Sequence, residues 1–337
     1  MDLVTGATGF IGGAVARRLR EAGRAVRILV RPGGTGDARR RQVEDLVACG
    51  AEVVDGDVTD ARAVEPAMKG VRRVYHLAAL YQFWGAPAQD FRTVNVDATV
   101  ALLAAAKREG VERFVHCSTV GTLAVSKDGR PVDETQRAHA EELCGDYKKT
   151  KFEAEEAALA AARDGVPVVI VNPSAPVGPG DLKPTPTGQM IVDYLKGKMY
   201  AYTATGLNLV DVDDVAAGHI LAAEKGTVGE RYILGNRNLW LKEIFAILAG
   251  ISGVRAPRIR VPHALVTVSA WVEEGISSLL PARVPRVTRA QAKMARHAMF
   301  FDSGKAVREL GLPQTPIEES LRRAVEWFRE AGYAPTV

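Results

Sequence analysis

Tyr147 and Lys151 stand four residues apart in GDYKKTKFEAEE, a stretch whose pattern predicts a helix, so both side chains leave the same face. A phenol with an ordinary pKa of about 10 is a poor base at neutral pH unless a neighbouring cation stabilises its phenolate, and a lysine one turn away supplies that charge. Thr119, in CSTVG, directly follows an apolar run that reads as the fifth strand. A hydroxyl there faces whatever binds at the carboxyl edge of a parallel sheet. Together Thr119, Tyr147 and Lys151 form a candidate set for holding a carbonyl oxygen and moving a proton to or from it. A Tyr and a Lys at this spacing are by themselves ordinary helix-surface residues, and the strand-end hydroxyl is what gives them weight.

Such a set needs a redox partner, and VTGATGFIG supplies a place for one. Gly6, Gly9 and Gly12 lie between a short apolar run and an apparent helix. In that context the first permits a tight turn, the second lets backbone approach a pyrophosphate, and the third allows the helix to pack closely on the sheet. Unpaired N–H groups and a partial positive charge at the helix N-terminus then meet the phosphates. The second strand ends in LVRP. A carboxylate there would take the ribose 2′-hydroxyl of NAD, whereas Arg31 suits a 2′-phosphate, which predicts NADP with NAD as the alternative. The run Arg39 to Arg41 reads as a solvated helix face close enough to share that role.

The elements that must position these residues follow from periodicity. LVT, AVRILV, EVVDGD, RRVYHLA, RFVHCS and PVVIVN are strand candidates, separated by helical patterns such as AVARRLREAG and VNVDATVALLAAAKREG. Their alternation predicts an α/β fold: a Rossmann doubly wound parallel sheet with a smaller mixed α/β C-terminal substrate-binding part. The dinucleotide domain is expected over 1–172, completed by 209–235. The substrate part is expected over 173–208 and 236–337, beginning in the Pro- and Gly-rich NPSAPVGPGDLKPTPTG. In YQFWG, Tyr81, Phe83 and Trp84 sit on a loop over the cofactor's reactive end, where an apolar or ring-shaped substrate would pack; simple loop anchoring is the equal alternative. PHALVTVSAWVEEGISSLL carries Glu273 and Glu274 rather than Lys or Arg, which argues for burial in the substrate part over a lipid-facing surface.

Composition narrows the classes. Of 337 residues 47% are hydrophobic and 25% charged, ordinary for a globular protein, and 44 Lys and Arg against 40 Asp and Glu give a formal charge of only +4. No nucleic-acid partner is indicated. No apolar run approaches the roughly 20 residues of a transmembrane segment and no secretory leader pattern precedes the first strand, so a cytoplasmic protein is expected. Cys49, Cys117 and Cys144 lack any CxxC pattern and read as reduced, small buried hydrophobes; the 6 histidines show no ligand spacing, so no metal is expected.

Over essentially its whole length the chain resembles the extended short-chain dehydrogenases/reductases of the NAD-dependent epimerase/dehydratase type. TGATGFIG is similar to their cofactor loop, which adds Thr8, Phe10 and Ile11 to the three glycines, and YKKTK to their Tyr-x-x-x-Lys motif. Thr119 matches their catalytic Ser or Thr. GDVTD, with Asp57 and Val58, resembles their adenine-contacting turn, and HLAA, with Leu77, Ala78 and Ala79, their fourth-strand cofactor segment. Asn95 falls where a family asparagine supports the site, and the resemblance extends the cofactor contacts to Pro173 and Ser174. NPSAPVGPGDLKPTPTG, TGLNLVDVDDVA and ERYILG are most similar to the dihydroflavonol-4-reductase-like branch, including bacterial hopanoid-associated sugar epimerases. The resemblance implies hydride transfer, a Lys151 that also binds the nicotinamide ribose, and a homodimer joined through a four-helix bundle. Three activities fit: an NADP(H)-dependent reductase of ketones or aldehydes, a nucleotide-sugar epimerase/dehydratase that retains its cofactor, and a non-catalytic dinucleotide-binding protein. Nucleotide-sugar epimerases usually carry an arginine just before the strand resembling GLNLVDVDD, where it grips the diphosphate. Leu207 and Asn208 occupy that approach here. Asn208 is therefore expected to face substrate, with Lys183 of DLKPTPTG the nearest cation, and the epimerase reading is weakened.

Overall fold

Apolar runs that are covered on both faces by crossover helices become parallel strands, and six such runs open the sheet: β1 (Asp2–Thr5), β2 (Val26–Val30), β3 (Glu52–Asp55), β4 (Arg73–His76), β5 (Arg113–Cys117) and β6 (Val168–Pro173). Every residue of β1 and β6 is buried. The computed structural model describes residues 1–337 apart from 34–35, 83, 127, 281–283 and 336–337. Between the strands run α1 (Phe10–Glu21), α2 (Asp37–Ala48), α3 (Ala61–Met68), α4 (Ala88–Arg92), α5 (Ala98–Glu109) and α6 (Gly145–Arg163). A π-helical turn, Thr93–Asp97, joins α4 to α5 and buries Asn95.

After β6 the chain leaves the sheet to form β7 (Ala175–Val177), α7 (Pro186–Leu195), β8 (Ala201–Thr203) and β9 (Gly206–Asp211). It returns through α8 (Val212–Lys225) and β10 (Arg231–Leu234), then continues as β11 (Arg237–Trp240), α9 (Leu241–Ser252), β12 (Ile259–Val261), α10 (His263–Leu279), α11 (Arg289–Met294) and α12 (Ile317–Glu330). Among the described residues the main sheet has 7 strands in the order β10-β6-β5-β4-β1-β2-β3. All of its pairings are parallel. The strand runs read from sequence are thus joined by a seventh, the YIL of ERYILG. Strand order reverses direction beside β1 and β4, the topological switch point at which such sheets bind ligands.

One apolar layer packs α1 and α8 on the sheet through Val15, Leu19, Val215 and Ala216 against Val4 and Val115. The other packs α3, α5 and α6 through Met68, Leu102 and Ala158 against Leu3, Phe114 and Ile170. A separate core joins α7, α9 and α12 to β7 and β9 through Ile191, Phe245, Leu321 and Leu209.

Two sequence expectations fail. Only Cys117 of the cysteines is buried, while Cys49 is exposed and Cys144 half-buried. The expected burial of α10 is reversed as well: Ala270, Glu274 and Ser277 face inward, whereas Leu265, Val268, Trp271, Val272 and Leu279 are exposed. Glu274 turns inward because Arg289 pairs with it there.

Candidate active site

The turn after β1 is shaped by contacts that leave no space for side chains. Gly6 adopts φ +74°, and a Cβ there would lie 2.7 Å from the Ala78 nitrogen and 2.8 Å from the Leu77 carbonyl carbon. A Cβ on Gly12 would lie 2.1 Å from the Gly6 carbonyl oxygen, so the third glycine serves the turn itself rather than helix–sheet packing alone. Gly9 precedes α1 with no side-chain cap, which leaves the N–H groups of the first turn to a ligand. Thr8, Phe10 and Ile11 are half-buried around it. Gln42, from α2, donates to the Ala7 and Gly9 carbonyls at 3.1 and 3.3 Å and so fastens the loop from behind. Opposite, the Leu77 and Ala78 N–H groups donate to Thr5, both at 3.2 Å, and Ala79 is exposed beyond them.

At the ends of β2 and β3, Arg31 and Asp57 stand 3.6 Å apart on a largely exposed edge. Asp57 accepts from the Thr59 N–H and hydroxyl, each at 2.9 Å, and Val58 is buried below. Buried Ser174 Oγ and Asn172 Oδ1, at the end of β6 beside buried Pro173, have no hydrogen-bond partner among the described residues. A turn closed to side chains at Gly6 and Gly12, an uncapped helix start and unclaimed polar atoms at one sheet edge fit a dinucleotide.

Thr119 begins a 3-10 turn immediately after β5, and its Oγ1 accepts from the Gly121 N–H at 3.1 Å. Tyr147, in the first turn of α6, hydrogen-bonds Thr119. Burial drives the Tyr147 phenol well above its ordinary range, the Tyr81 ring and Cys117 add to that, and the bond to Thr119 opposes it. At neutral pH the residue is therefore a proton-carrying phenol. Lys151 is buried, and its Nζ donates to the Cys117 carbonyl at 2.6 Å. Burial lowers its pKa, against the opposing pull of Cys117 and Glu155. Burial also pushes the Cys117 thiol up to about 11, so it stays a thiol.

Glu155, Asn172 and His76, which the sequence reading does not assign to the site, help Asn95 hold this set in place. Glu155, one turn after Lys151, accepts from Ser118, Thr122 and Asn172 at 2.5, 2.8 and 2.9 Å and pairs with Arg231 at 2.6 Å. Asn172 also donates to the Thr119 carbonyl at 3.0 Å, which fixes the strand-end turn. Asn95 accepts from the Leu80 N–H at 2.7 Å and donates to the Leu80 carbonyl and Thr150 at 3.2 and 3.0 Å. Its side-chain polar atoms thus join the fourth-strand loop to α6. His76 bridges Thr5 and Thr99 at 2.8 and 2.9 Å, and burial pushes its pKa down to about 3, so it is a neutral strut. Apart from Asn95, which the family resemblance marks, none of these residues has a sequence signal beyond a polar residue in an apolar neighbourhood, because each partner is more than a dozen residues distant.

The Tyr81 ring lies tilted against that of Tyr147, with ring centroids 4.5 Å apart and planes at 51°. A cavity of about 510 Å³ opens beside Tyr147, lined by Trp84, Phe91, Cys144 and Asp146, with Ser277 and Ser278 of α10 on its far wall. Phe83 lies outside the described residues. Two expected substrate contacts are placed elsewhere. Lys183 is exposed and does not line this cavity. Asn208 is buried in β9, where it donates to the Asn238 side chain at 2.8 Å and the Phe301 carbonyl at 3.2 Å and accepts from the Asn236 N–H at 3.0 Å, so strand alternation turns it into the core.

This sheet order, the glycine turn at its switch point and the Tyr–Lys helix alongside define the class: an enzyme of the short-chain dehydrogenase/epimerase superfamily. Residues 3–235 match the NAD dependent epimerase/dehydratase family, and the chain belongs to it. A Synechocystis protein provisionally named dihydroflavonol 4-reductase is 43% identical over 99% of this chain and 96% of its own. The sterol demethylase protein B of Methylococcus capsulatus is 34% identical over 98% of both chains. The crystal structure of gox2253 superposes with a TM-score of 0.86 at 43% identity, covering 99% of each chain.

Proposed function

We propose that the protein is an NADP(H)-dependent oxidoreductase that transfers hydride to an uncharged, partly apolar ketone or aldehyde. The observation that carries this reading is the cavity beside Tyr147, where Asp146 is the only charged side chain among the described lining residues. A nucleotide diphosphate buried there would meet a carboxylate and no cation, whereas an apolar ketone would meet Trp84 and Phe91 at little cost. In this scheme the substrate oxygen rests between the Thr119 and Tyr147 hydroxyls. A reduced dinucleotide held at the Gly6–Gly12 turn and the start of α1 would supply the hydride for the carbonyl carbon. Tyr147 gives its proton to the oxygen, yielding the alcohol, and the Lys151 charge supports the phenolate until water reprotonates it. Arg31 at the end of β2 supports the NADP preference. The reductase name of the Synechocystis relative and the sterol in the name of the Methylococcus protein support the substrate class. A homodimer through α5 and α6, with exposed Val100 on the outward face of α5, belongs to the same proposal, and light scattering tests it.

One observation favours a second reading. A neighbouring cavity, also about 510 Å³, carries Lys148, Lys293 and Arg296, along with Glu141 and Glu142, and would place a nucleotide-sugar diphosphate in an epimerase or dehydratase. A panel of ketones, aldehydes and nucleotide sugars assayed with NADPH and NADH separates the two. Turnover of a ketone or aldehyde, faster with NADPH, is expected, with no calorimetric binding of UDP or GDP stronger than about millimolar. Micromolar nucleotide binding with sugar interconversion in the absence of added cofactor overturns the reductase reading.

A further inference from the structure

α10 is inverted relative to an ordinary surface helix. Its polar side is the one attached to the protein: Glu274 pairs with Arg289 and accepts from the Arg289 N–H at 2.6 Å, while His263 bonds Thr203 and the Ala204 carbonyl at 3.0 and 3.1 Å. Its outward side is apolar. Leu265, Val268, Val272 and Leu279 recur at helical spacing and are 60, 59, 55 and 82% exposed, and Trp271 beside them is 60% exposed. The exposed positions of α10, 264, 265, 268, 269, 271, 272, 275, 278 and 279, are all uncharged, with Ser269 and Ser278 the polar ones among them. Glu273 and Glu274, which argued from sequence for a buried helix, lie on the inner half.

The flanks are basic. Arg255, Arg258 and Arg260 are exposed on and before β12, with exposed Ile259 among them, and Arg286, Arg289, Lys293 and Arg296 are exposed on the segment that follows α10. The Arg289 guanidinium lies 4.3 Å over the Trp271 ring. Between 255 and 296 the sequence has eight Lys and Arg against two acidic residues, an excess larger than the +4 of the whole chain. An apolar helical face with an interfacial tryptophan and basic margins has the chemistry of an in-plane membrane contact.

We propose that α10 and β12 form a docking face for an anionic lipid bilayer. A second copy of the chain is the less favourable occupant, because pairing the same face twice sets one basic margin against another. Ser277 and Ser278 of the same helix line the cavity beside Tyr147. Resting here on the proposed reductase reading, docking brings that cavity to the headgroup level, where an apolar ketone is available from the bilayer without crossing water.

Cosedimentation of the full chain with vesicles of phosphatidylcholine alone, or mixed with phosphatidylglycerol, tests the proposal. Binding to the mixed vesicles is expected, weakening with salt and accompanied by a blue shift of tryptophan emission. Arg255→Glu, Arg258→Glu and Arg260→Glu combined should lower the partition coefficient by at least about fivefold for each position. Val268→Asp with Val272→Asp should abolish binding, and both variants should keep the wild-type thermal midpoint because every altered side chain is exposed. Failure to bind the mixed vesicles, or unchanged binding by the variants, overturns the proposal. So does a dimer that the double aspartate variant dissolves in the absence of any vesicle binding, which would assign the face to a second copy. Lipid binding without ketone turnover would leave the docking face standing and remove the reductase reading alone.

Discussion

Two arginine–glutamate pairs in this chain have the same chemistry and opposite settings. Glu155 and Arg231 are 2% and 14% exposed, and the carboxylate also takes hydrogen bonds from Ser118, Thr122 and Asn172. Glu274 and Arg289 are 12% and 53% exposed, and behind the pair lies a helix whose apolar face is turned outward. The first pair is desolvated and both carboxylate oxygens are hydrogen-bonded, so it fixes the turn that carries Thr119 and the helix that carries Tyr147 and Lys151. The second keeps one partner in water, and its task is attachment: it holds α10 by the polar side and leaves the other side free. Geometry alone does not distinguish them. What separates rigid positioning from peripheral anchoring is how much water each pair has lost.

That contrast can be broken at its reactive end first. Tyr147→Phe removes one hydroxyl and leaves the Glu155 cluster untouched, so kcat on a verified substrate should fall by about 10²- to 10⁴-fold while cofactor affinity, measured by calorimetry, stays close to wild type. Glu155→Ala should cost about 3–5 kcal/mol in urea denaturation, because it strands Arg231 in a buried site and releases three donors. A loss below about 1 kcal/mol would mean that the cluster is hydrated and the comparison fails.

A buried titratable group with no charged partner sharpens the contrast further. Among the described residues His219 on α8 bonds only the Val215 carbonyl, at 2.8 Å, and burial lowers its pKa to about 4. The unfolded state therefore takes up the proton first as pH falls below about 6.5, and the stability present above that value is lost progressively toward the folded pKa. His219→Leu should lose about 2 kcal/mol less than wild type between about pH 7 and pH 5, read from denaturation midpoints at each pH. The smallest effect is expected at the margin: Glu274→Ala should cost under about 1 kcal/mol, as for other solvent-screened pairs. A loss comparable with that of Glu155→Ala would erase the distinction between the two settings.

The strands were legible because parallel sheets write themselves as short continuous apolar runs, and the Tyr–Lys spacing was legible because both residues sit on one helix. Glu155 and Gln42 were not, since their partners come from distant segments that only the folded sheet brings together. Asn208 misled for a related reason: its position before α8 is near the sheet edge, but strand alternation decides which way it points, and a single residue of register reverses the answer. The orientation of α10 was hidden by adjacent Glu273 and Glu274. Acidic residues on an amphipathic helix are normally read as its wet side, and only Arg289, fifteen residues downstream, reveals that here they face the protein.

The pairing of β6 with β10 carries a consequence for synthesis on the ribosome. The strand VVIVNP is complete at Pro173, but its outer neighbour begins at Arg231. During elongation through the intervening segment, about 3–12 s at ordinary rates, β6 is the open rim of an otherwise finished six-stranded array, with unpaired backbone and aliphatic side chains exposed. Until β10 has emerged and paired, that rim is adhesive, and slower synthesis of the segment between the two strands would lengthen the exposure.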